Sequence, residues 1–293
     1  MSARTAVVSL LLPTRGRPRL AERFIRSAAE MAERPESVEV VLRVDQDDTE
    51  SHALDSAHLH AVTVVGPRDS MGAYNTACLE RAAGDIVVLG NDDIVIRTKG
   101  WDRRLREVHA AHSDGVYLAY PNDLFKGRRL CAFPILPRRT CDLLIEPFPR
   151  AYQGAFIDYH LLDIFRRLER YGHPRLVYLP NVVFEHMHYR TGKGSYDETY
   201  RSRSRFKDDA TFLALRDDRS KGARRLLAAI EPARVHETAQ RTGTSLPSRG
   251  WAKRVLVAGR VILGDGELPA GWRIRLFSWF FARLSAASVW ARR

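Results

Sequence analysis

The sequence predicts an α/β fold with a mostly parallel sheet and helices on both of its faces. Short runs rich in Val, Leu and Ile, each ending in Gly, Pro or Asp, alternate with segments of helical periodicity, and this alternation is typical of such a sheet. The strand-like runs lie at residues 6–13, 38–45, 61–66 and 85–92.

The helices predicted between these strands follow from the spacing of apolar residues. Residues 20–31 place Phe24 and Ile25 on one side, and residues 73–83 are compatible with a packed helix. A further helix is expected from residue 101 to about residue 112. Each helix would cover one face of the sheet.

The chain after this helix is less regular. We expect a strand near residues 115–120, then a Pro- and Arg-rich irregular region at 121–150 that forms loops over a site. Apolar residues spaced for a helix follow at 156–172, where Gly172 and Pro174 stop the pattern. Residues 175–189 are again strand-like.

Composition indicates a folded protein of a reducing compartment. The chain has 293 residues and 45% hydrophobic content, which is enough for a sizeable core. Its three cysteines have no C-x-x-C spacing, which argues against disulfides and a zinc site. The apolar run near the N-terminus is too short for a secretory signal. We therefore expect a cytoplasmic protein.

The net charge of +12 is concentrated in the C-terminal part. Residues 216–293 contain sixteen Lys or Arg against six Asp or Glu, so most of the excess lies there. We predict a catalytic domain at 1–215 and a basic helical appendage at 216–293. The composition changes within the charged segment 216–225.

Polar residues are predicted to collect at the carboxyl ends of the strands, where ligands of open α/β sheets bind. One group follows each strand-like run, and four such groups in order are stronger support than any single loop. The candidate contacts in these groups are Pro13, Thr14, Arg15, Asp45, Arg68, Asn91, Asp92 and Asp93.

Asp92 and Asp93 form a pair of carboxylates at the end of an apolar run. Two like charges side by side raise each other's pKa unless a positive group lies against them. A turn is one explanation, because Asn91 and Asp92 are common turn residues. The other is a divalent cation held by carboxylate oxygens, with phosphate oxygens completing its shell.

Over residues 5–215 the chain resembles the family 2 glycosyltransferases, which have a GT-A, Rossmann-type fold. The resemblance lies in the segments VSLLLPTRGRP, VVLRVDQDD, MGAYNTACLERAAGDIVVLGNDDI and FEHMH. It implies an inverting transferase that uses a nucleoside-diphosphate sugar, with a UDP-type donor favoured. It also implies Mn²⁺ or Mg²⁺ as cofactor and a glycan or lipid-linked acceptor in cell-surface polysaccharide or glycolipid assembly.

The resemblance also assigns roles to residues on the donor side. Thr14, Arg15 and Asp45 are expected at the base and ribose, and the other donor contacts would be Pro13, Arg68, Asn75, Asn91 and Asp92. Residues 91–93 match the D-x-D position, whose last carboxylate binds the metal. Because Asn91 replaces the first acid, the metal role falls mainly on Asp93.

Asp158 lies where the resemblance places the catalytic base, although Ile157 replaces the first acid of the family's acidic pair. A carboxylate near the acceptor hydroxyl would take its proton during attack. The alternative is a helix N-cap, because Asp158 begins an apolar-periodic segment.

His186 and His188 are two residues apart on a strand-like run, so both rings share a face. The resemblance favours His186 over His188 as a further metal ligand. Either ring taken alone is equally compatible with lining a loop.

Two other classes of function remain open. A nucleotidyltransferase would show a Gly-rich basic loop after the first strand, and residues 13–20 match this in part, but it has no use for Asp158 or the late histidines. A non-catalytic binder of nucleic acid or membrane would use the basic appendage but leaves the carboxylate pair unexplained. We expect no nucleic-acid partner. Homo-oligomerisation is left open.

The C-terminal segment 272–293 mixes aromatic and basic residues, and no apolar run approaches the roughly 20 residues that span a bilayer. This composition suits helices that lie at the inner face of an anionic membrane. The alternative is packing onto the catalytic domain or a second subunit. Four arginines of the irregular region suggest an acidic or phosphate-bearing acceptor, unless they are only solvated: Arg128, Arg129, Arg138 and Arg139.

Overall fold

The computed structural model describes residues 6–54, 58–196, 206–232, 246 and 250–290. The strands are β1 Val8–Pro13, β2 Val38–Asp45, β3 His60–Gly66, β4 Ile86–Leu89, β5 Ile94–Ile96, β6 Leu118–Asn122, β7 Ile135–Pro137 and β8 Leu176–His186. The helices are α1 Pro18–Met31, α2 Thr49–His52, α3 Met71–Arg81, α4 Trp101–Ala111, α5 Arg138–Leu144, α6 Ile157–Arg170, α7 Asp208–Ala214, α8 Arg216–Ile230, α9 Trp251–Leu263 and α10 Ala270–Trp290.

The strands form one mixed sheet in the order β3-β2-β1-β4-β7-β6-β8-β5. The first four strands in this order are parallel, and β6 is parallel to β8. In contrast, β7 runs antiparallel to β4 and β6, and β5 runs antiparallel to β8. The predicted α/β fold with a mostly parallel sheet is confirmed.

Helices cover both faces of this sheet. In β1, Leu10 and Leu12 belong to the cluster that includes Phe24 of α1 and Trp101 of α4, whereas Leu11 belongs to the cluster on the other face. Successive side chains of a strand point to opposite faces, so a strand buried on both is apolar throughout. The run of three leucines in β1, Leu10 to Leu12, is therefore the consequence of its central position.

The region 121–150 is more regular than predicted, because it contains β7 and α5. β7 lies between β4 and β6, and its pairing with β4 brings Pro137 opposite Ile86. This register places Arg138 at the amino end of β4. A strand of three residues has too short an apolar run to be recognised from its sequence.

Arg138 and Arg139 lie away from the carboxyl edge of the parallel strands, which contradicts the suggested acceptor role for them. The Arg138 guanidinium donates to the carbonyls of Leu79 (3.1 Å) and Ala82 (2.6 Å) at the end of α3. It thereby adds side-chain donors at a helix end, where regular intrahelical bonding stops. Arg139 packs beside Gly115, before β6 begins.

The C-terminal helices pack against the sheet domain instead of standing apart from it. Leu226 of α8, Trp272 and Phe280 of α10, and Leu11 of β1 are buried in the same hydrophobic cluster. The core therefore continues across the predicted boundary at residue 215. Independent folding of residues 1–215 stays a prediction.

A buried ion network fastens α10 and its preceding loop to α6. The Asp163 carboxylate accepts from Arg167 (3.1 Å), Arg219 (2.7 Å) and Trp272 Nε1 (3.2 Å). Burial raises the pKa of Asp163, but the two guanidinium groups outweigh it and lower that pKa to about 2. Arg167 also bonds Asp265 at 2.7 Å. Within the described ranges, no helix is both long and apolar enough to cross a bilayer.

Candidate active site

The candidate site lies at the carboxyl ends of β1, β2 and β4. Pro13 ends β1 and pairs with Arg43, while Asp45 ends β2 and pairs with Gly66. The chain leaves β4 at Leu89 and reaches the carboxylate pair within a few residues. Parallel strands bring these loops to one edge, as the sequence predicts.

Asp45 is the centre of the first polar group. It is 1% exposed and accepts hydrogen bonds from Arg15 Nη1 (2.6 Å) and from the Tyr74 hydroxyl (2.7 Å). Arg15 also makes a two-pronged contact with Asp47, at 2.5 and 2.8 Å. Burial and the Asp45 hydrogen bond raise the pKa of Tyr74 to about 12, so its hydroxyl remains a donor. Sequence reasoning missed Tyr74.

Asp92 joins the loop after β1 to the loop after β4. Its Oδ2 accepts from Thr14 Oγ1 at 3.0 Å, and its Oδ1 accepts from Arg17 Nη1 at 3.0 Å. Burial raises the pKa of Asp92 to about 6, the neighbouring Asp93 adds to this, and Arg17 opposes it. Because both carboxylate oxygens have protein donors, Asp92 organises the loop that would contact the nucleotide.

Asp93 faces His186, with Asp93 Oδ2 3.2 Å from His186 Nε2. The antiparallel pairing of β5 with β8 creates this contact, because Ile94 lies opposite His186. The Asp93 carbonyl also accepts the Met187 N–H at 2.8 Å. The two side chains singled out as metal ligands therefore meet, although 93 residues separate them in the chain.

His186 is held from two sides by aromatic rings. Phe133 meets it edge-on at 5.1 Å and Phe125 at 6.1 Å, measured between ring centroids. Its Nδ1 is buried and has no hydrogen-bond partner among the described residues. An imidazole held in this way presents Nε2 to Asp93, and no second carboxylate of the described residues bonds to it.

His188 takes a different place. Its ring stacks on Phe125 at 5.4 Å, and its Nδ1 accepts the Arg190 N–H at 3.1 Å. Burial and the neighbouring His186 lower the pKa of His188 to about 4, so the ring is neutral at pH 7. Its Nδ1 is thus engaged by the backbone and does not face Asp93 as His186 Nε2 does.

The donor set fits a hard divalent ion that shares its shell with a substrate. No group of three or more His, Cys, Asp or Glu within the described part of the chain could hold a metal by itself. Mg²⁺ is commonly bound through one or two protein ligands together with water and substrate phosphates. Asp93 would offer a carboxylate oxygen and His186 an imidazole nitrogen, and the remaining ligands would be oxygens of a diphosphate and of solvent.

Asp158 is the second residue of α6. The N-cap position is Phe156, which makes no side-chain capping bond and has a left-handed backbone with φ of 71°. Asp158 therefore does not occupy the N-cap position weighed from the sequence. Its Oδ1 accepts the Tyr159 N–H (2.8 Å), and its carbonyl accepts from Cys131 Sγ (3.0 Å). The role of base stays a prediction.

The turn before Asp158 depends on a residue that sequence reasoning missed. The Asp208 carboxylate is 2% exposed and accepts three backbone N–H groups, from Gln153 (2.9 Å), Gly154 (3.1 Å) and Ala155 (2.7 Å). These bonds fix the loop that leads into α6. No sequence pattern links residues more than 50 positions apart in this way.

Three predicted donor contacts are less closely integrated. Asn75 is buried in α3, and its side-chain amide donates to the Met71 carbonyl one turn earlier at 3.0 Å. Asn91 and Arg68 are exposed at the rim. For these residues donor contact remains a prediction.

Several solved structures are similar to this chain. A mannosyltransferase from Pyrobaculum calidifontis, solved with GDP-Man and Mn²⁺, is 14% identical with a TM-score of 0.49, covering 99% of this chain and 89% of that one. Glucosyl-3-phosphoglycerate synthase from Mycobacterium tuberculosis, solved with Mn²⁺ and UDP-glucose, is 16% identical with a TM-score of 0.47, covering 73% and 79%. S. aureus TarS is 14% identical with a TM-score of 0.45, covering 61% of this chain and 36% of TarS.

No protein-family model and no curated protein matches the sequence. At these identities and TM-scores, the function has to be argued from the residues of the site. Those residues are the carboxylate–imidazole pair, the buried polar group around Asp45, and Asp158 on the first turn of α6.

Proposed function

We propose that the protein is a metal-dependent, inverting glycosyltransferase that moves a sugar from a nucleoside-diphosphate sugar to an acceptor hydroxyl. The observation that carries this proposal is the contact of Asp93 with His186 at the carboxyl edge of the sheet. The buried polar group of Arg15, Asp45 and Tyr74 lies at the neighbouring strand ends. We assign Asp158, in the first turn of α6, to the acceptor side.

The polar group around Asp45 is suited to a nucleoside. A carboxylate can accept from ribose hydroxyls in addition to protein donors, because its two oxygens offer about four acceptor sites. The Arg15 guanidinium is planar and can stack on or hydrogen-bond a base. Thr14 is held by Asp92, so the loop that carries both Thr14 and Arg15 is fixed before substrate binds.

The departing nucleoside diphosphate accumulates negative charge as the bond to the sugar breaks. Asp93 and His186 would hold the divalent ion, which when bound supplies positive charge at that diphosphate. The phenyl rings around His186 limit the movement of its imidazole. The site is thereby organised before the charge develops.

Asp158 would accept the proton of the acceptor hydroxyl as its oxygen attacks the anomeric carbon. The new glycosidic bond forms while the bond to the diphosphate breaks, and the proton moves to the carboxylate. A single displacement by one base inverts the anomeric configuration. This step uses the carboxylate form of Asp158, which lies in the first turn of α6.

The acceptor is proposed to be a glycan or lipid-linked molecule at the inner face of the cell membrane, reached by a cytoplasmic enzyme. Support comes from the outer face of α9 and α10, which exposes large apolar side chains among basic ones. Leu256 is 71% exposed and Ile274 62%, with Lys253 and Arg273 on the same helices. Such a surface suits the interface of an anionic leaflet.

Vesicle binding tests the membrane proposal separately. The intact protein should bind vesicles containing phosphatidylglycerol at low salt and release from them at high salt, and the double variant Leu256→Ser, Ile274→Ser should bind more weakly. Both side chains are exposed, so their replacement leaves the core intact. Failure of the intact protein to bind at low salt would refute the membrane role, and it would leave the proposed transferase activity unaffected.

Product analysis tests the transferase itself. A panel of UDP- and GDP-linked sugars is incubated with the protein and Mn²⁺, and the released nucleotide is separated by chromatography. A glycosyltransferase releases a nucleoside diphosphate. Release of pyrophosphate would instead identify a nucleotidyltransferase. A separate thermal-shift measurement identifies the ligands: a nucleoside diphosphate should stabilise the protein only when Mn²⁺ is present.

A further inference from the structure

Basic side chains of three segments lie near the start of α6, where Asp158 is located. Lys126 and Arg129 lie on the loop between β6 and β7, Arg190 follows β8, and Arg275 lies on α10. The Cys131 Sγ–H contact with the Asp158 carbonyl fastens the loop to the start of α6. Charges from separate parts of the chain therefore meet at one place.

The contacts of Arg129 and Arg275 connect the loop to the C-terminal helix. The Arg275 guanidinium donates to the Arg129 carbonyl at 2.6 Å, and Arg129 donates to the carbonyls of Phe125 and Lys126 at 3.3 Å each. Their partners among the described residues are carbonyls and an aromatic ring, and none is a carboxylate. Both cations keep their charge available for a ligand.

Lys126 is the most enclosed of the group. Its ammonium lies over the Phe125 ring at 4.2 Å. Burial lowers the pKa of Lys126, and the nearby charges of Arg129 and Arg190 lower it further, while Asp123 and Asp158 oppose the shift. The lysine is therefore surrounded by like charges and lies within electrostatic range of Asp158.

The loop that carries Lys126 is rigidly formed. The buried Asp123 carboxylate accepts the N–H groups of Phe125 (3.1 Å), Lys126 (2.7 Å) and Gly127 (2.7 Å) through one oxygen. The Asp123 carbonyl also accepts the His186 N–H at 3.1 Å. The position of the lysine is thus coupled to the strand that bears the candidate metal ligand.

An aromatic surface adjoins these cations. Tyr159, next to Asp158, stacks on Trp279 of α10 with ring centroids 4.2 Å apart and planes 16° apart. Both side chains are partly exposed. The helix of the basic appendage therefore forms one wall beside the candidate base, with an apolar portion from Trp279 and a cationic portion from Arg275.

We infer that this cluster of Lys126, Arg129 and Arg275 binds an anionic group, a phosphate monoester or diester, on the acceptor. The inference rests on the proposed function, since it takes Asp158 to mark the acceptor hydroxyl. A phosphate in the cluster would hold the acceptor so that a hydroxyl of the same molecule reaches Asp158, while the donor occupies the strand ends around Asp45. Charge-assisted hydrogen bonds to phosphate suit both Lys and Arg.

The test measures binding of phosphate compounds by calorimetry to the full-length protein, with its donor site filled by UDP or GDP and Mg²⁺. Glycerol 3-phosphate serves as a soluble phosphate monoester and dihexanoyl phosphatidic acid as a lipid one, and glycerol is the neutral comparison. We expect phosphate-dependent binding that Lys126→Met and Arg275→Met each weaken about tenfold, the effect of losing one charge-assisted hydrogen bond. Tighter binding of the lipid than of glycerol 3-phosphate would identify a lipid-linked acceptor.

Arg273→Met is the matched control. This arginine lies on the same helix and donates to the Leu263 carbonyl at 2.8 Å, so its loss removes one charge without altering the cluster. Equal weakening by Arg273→Met would show a diffuse charge effect and overturn the inference. Displacement of the phosphate compound by the nucleotide would place the cluster in the donor site and overturn the inference. Absence of phosphate-dependent binding would show that the cluster does not bind phosphate. If nucleotide and Mg²⁺ fail to bind at all, the proposed function itself fails.

Discussion

Replacement of Asp208 tests how the turn before the candidate base is positioned. Its carboxylate holds three backbone N–H groups of residues 153–155. Asp208→Ala would leave them without their acceptor. Because Gly154 and Ala155 are only half-buried and Gln153 is exposed, water can replace part of the loss, and the lower bound of about 1 kcal/mol for each group applies. We expect a loss of about 3 kcal/mol in the free energy of unfolding.

Asp208→Asn gives a graded comparison. Oδ2 accepts two of the three N–H groups and Oδ1 accepts the third. An asparagine can keep its oxygen at the Oδ2 position, which accepts two N–H groups. Its NH₂ group then faces the Gln153 N–H, and two donors cannot form a hydrogen bond with each other. We expect Asn to lose less stability than Ala and to recover part of the transfer activity. Urea denaturation measures the first quantity and steady-state kinetics the second.

The kinetic signature separates positioning from general stability. Displacement of the turn should lower kcat for transfer, because Asp158 is misplaced, while KM for the donor and slow donor hydrolysis stay near wild type. Asp218→Asn is the control, an exposed carboxylate on α8. Equal changes in kcat and donor KM, or full activity in Asp208→Ala, would refute the positioning role.

Three further changes probe the base, the metal ligands and the appendage. Asp158→Asn should keep donor and metal binding and lose transfer, because only proton removal fails, and a folding defect without a kinetic one would contradict this. His186→Ala should weaken Mn²⁺ binding in the presence of nucleotide by about tenfold or more, measured by titration calorimetry. His188→Ala should weaken it less. The reverse order would make His188 the metal ligand instead of His186. Phe280→Ala, in a fully buried position, should cost about 3–5 kcal/mol in one cooperative unfolding transition. A separate low-stability transition would instead support a separable appendage.

The local pattern of the sequence predicts the central part of the fold. Most residues of β1 and β2 are apolar because both faces of these strands are buried, and α1 shows its buried side through Phe24 and Ile25. β5 and β7 cannot be recognised from the sequence in the same way. Each spans three residues and exists because a distant strand pairs with it, so tertiary contacts decide it.

The candidate site follows a similar division. Thr14, Asp45 and Asp93 could be found because a parallel sheet brings strand ends to one edge. The hydrogen-bond partners of the site carboxylates could not be predicted from the sequence. Arg17 bonds Asp92 across 75 positions, and Tyr74 bonds Asp45 across 29. The adjacent carboxylates also prove unlike: Asp92 organises the loop after β1, and Asp93 faces His186.

The appendage shows the limit of composition as a guide. Its mixture of aromatic and basic residues is compatible with a membrane surface and with packing onto the domain, and the two faces of α10 serve differently. Phe280 is buried in the core, whereas Ile274 is largely exposed. The packing of α10 on the domain decides which of its apolar side chains are buried and which are exposed. The buried bond from Trp272 to Asp163 has no signal in the sequence.

We propose that Asp93 and His186 hold a divalent ion against the diphosphate of a sugar nucleotide. The most direct test of this proposal is the rate of nucleoside-diphosphate release from UDP- and GDP-linked sugars, measured for the wild type and Asp93→Asn over a range of Mn²⁺ concentrations. We expect the wild type to release nucleoside diphosphate in an Mn²⁺-dependent way, and a folded Asp93→Asn variant to lose nearly all of this activity together with its Mn²⁺ dependence. Normal Mn²⁺-dependent release by Asp93→Asn would contradict it.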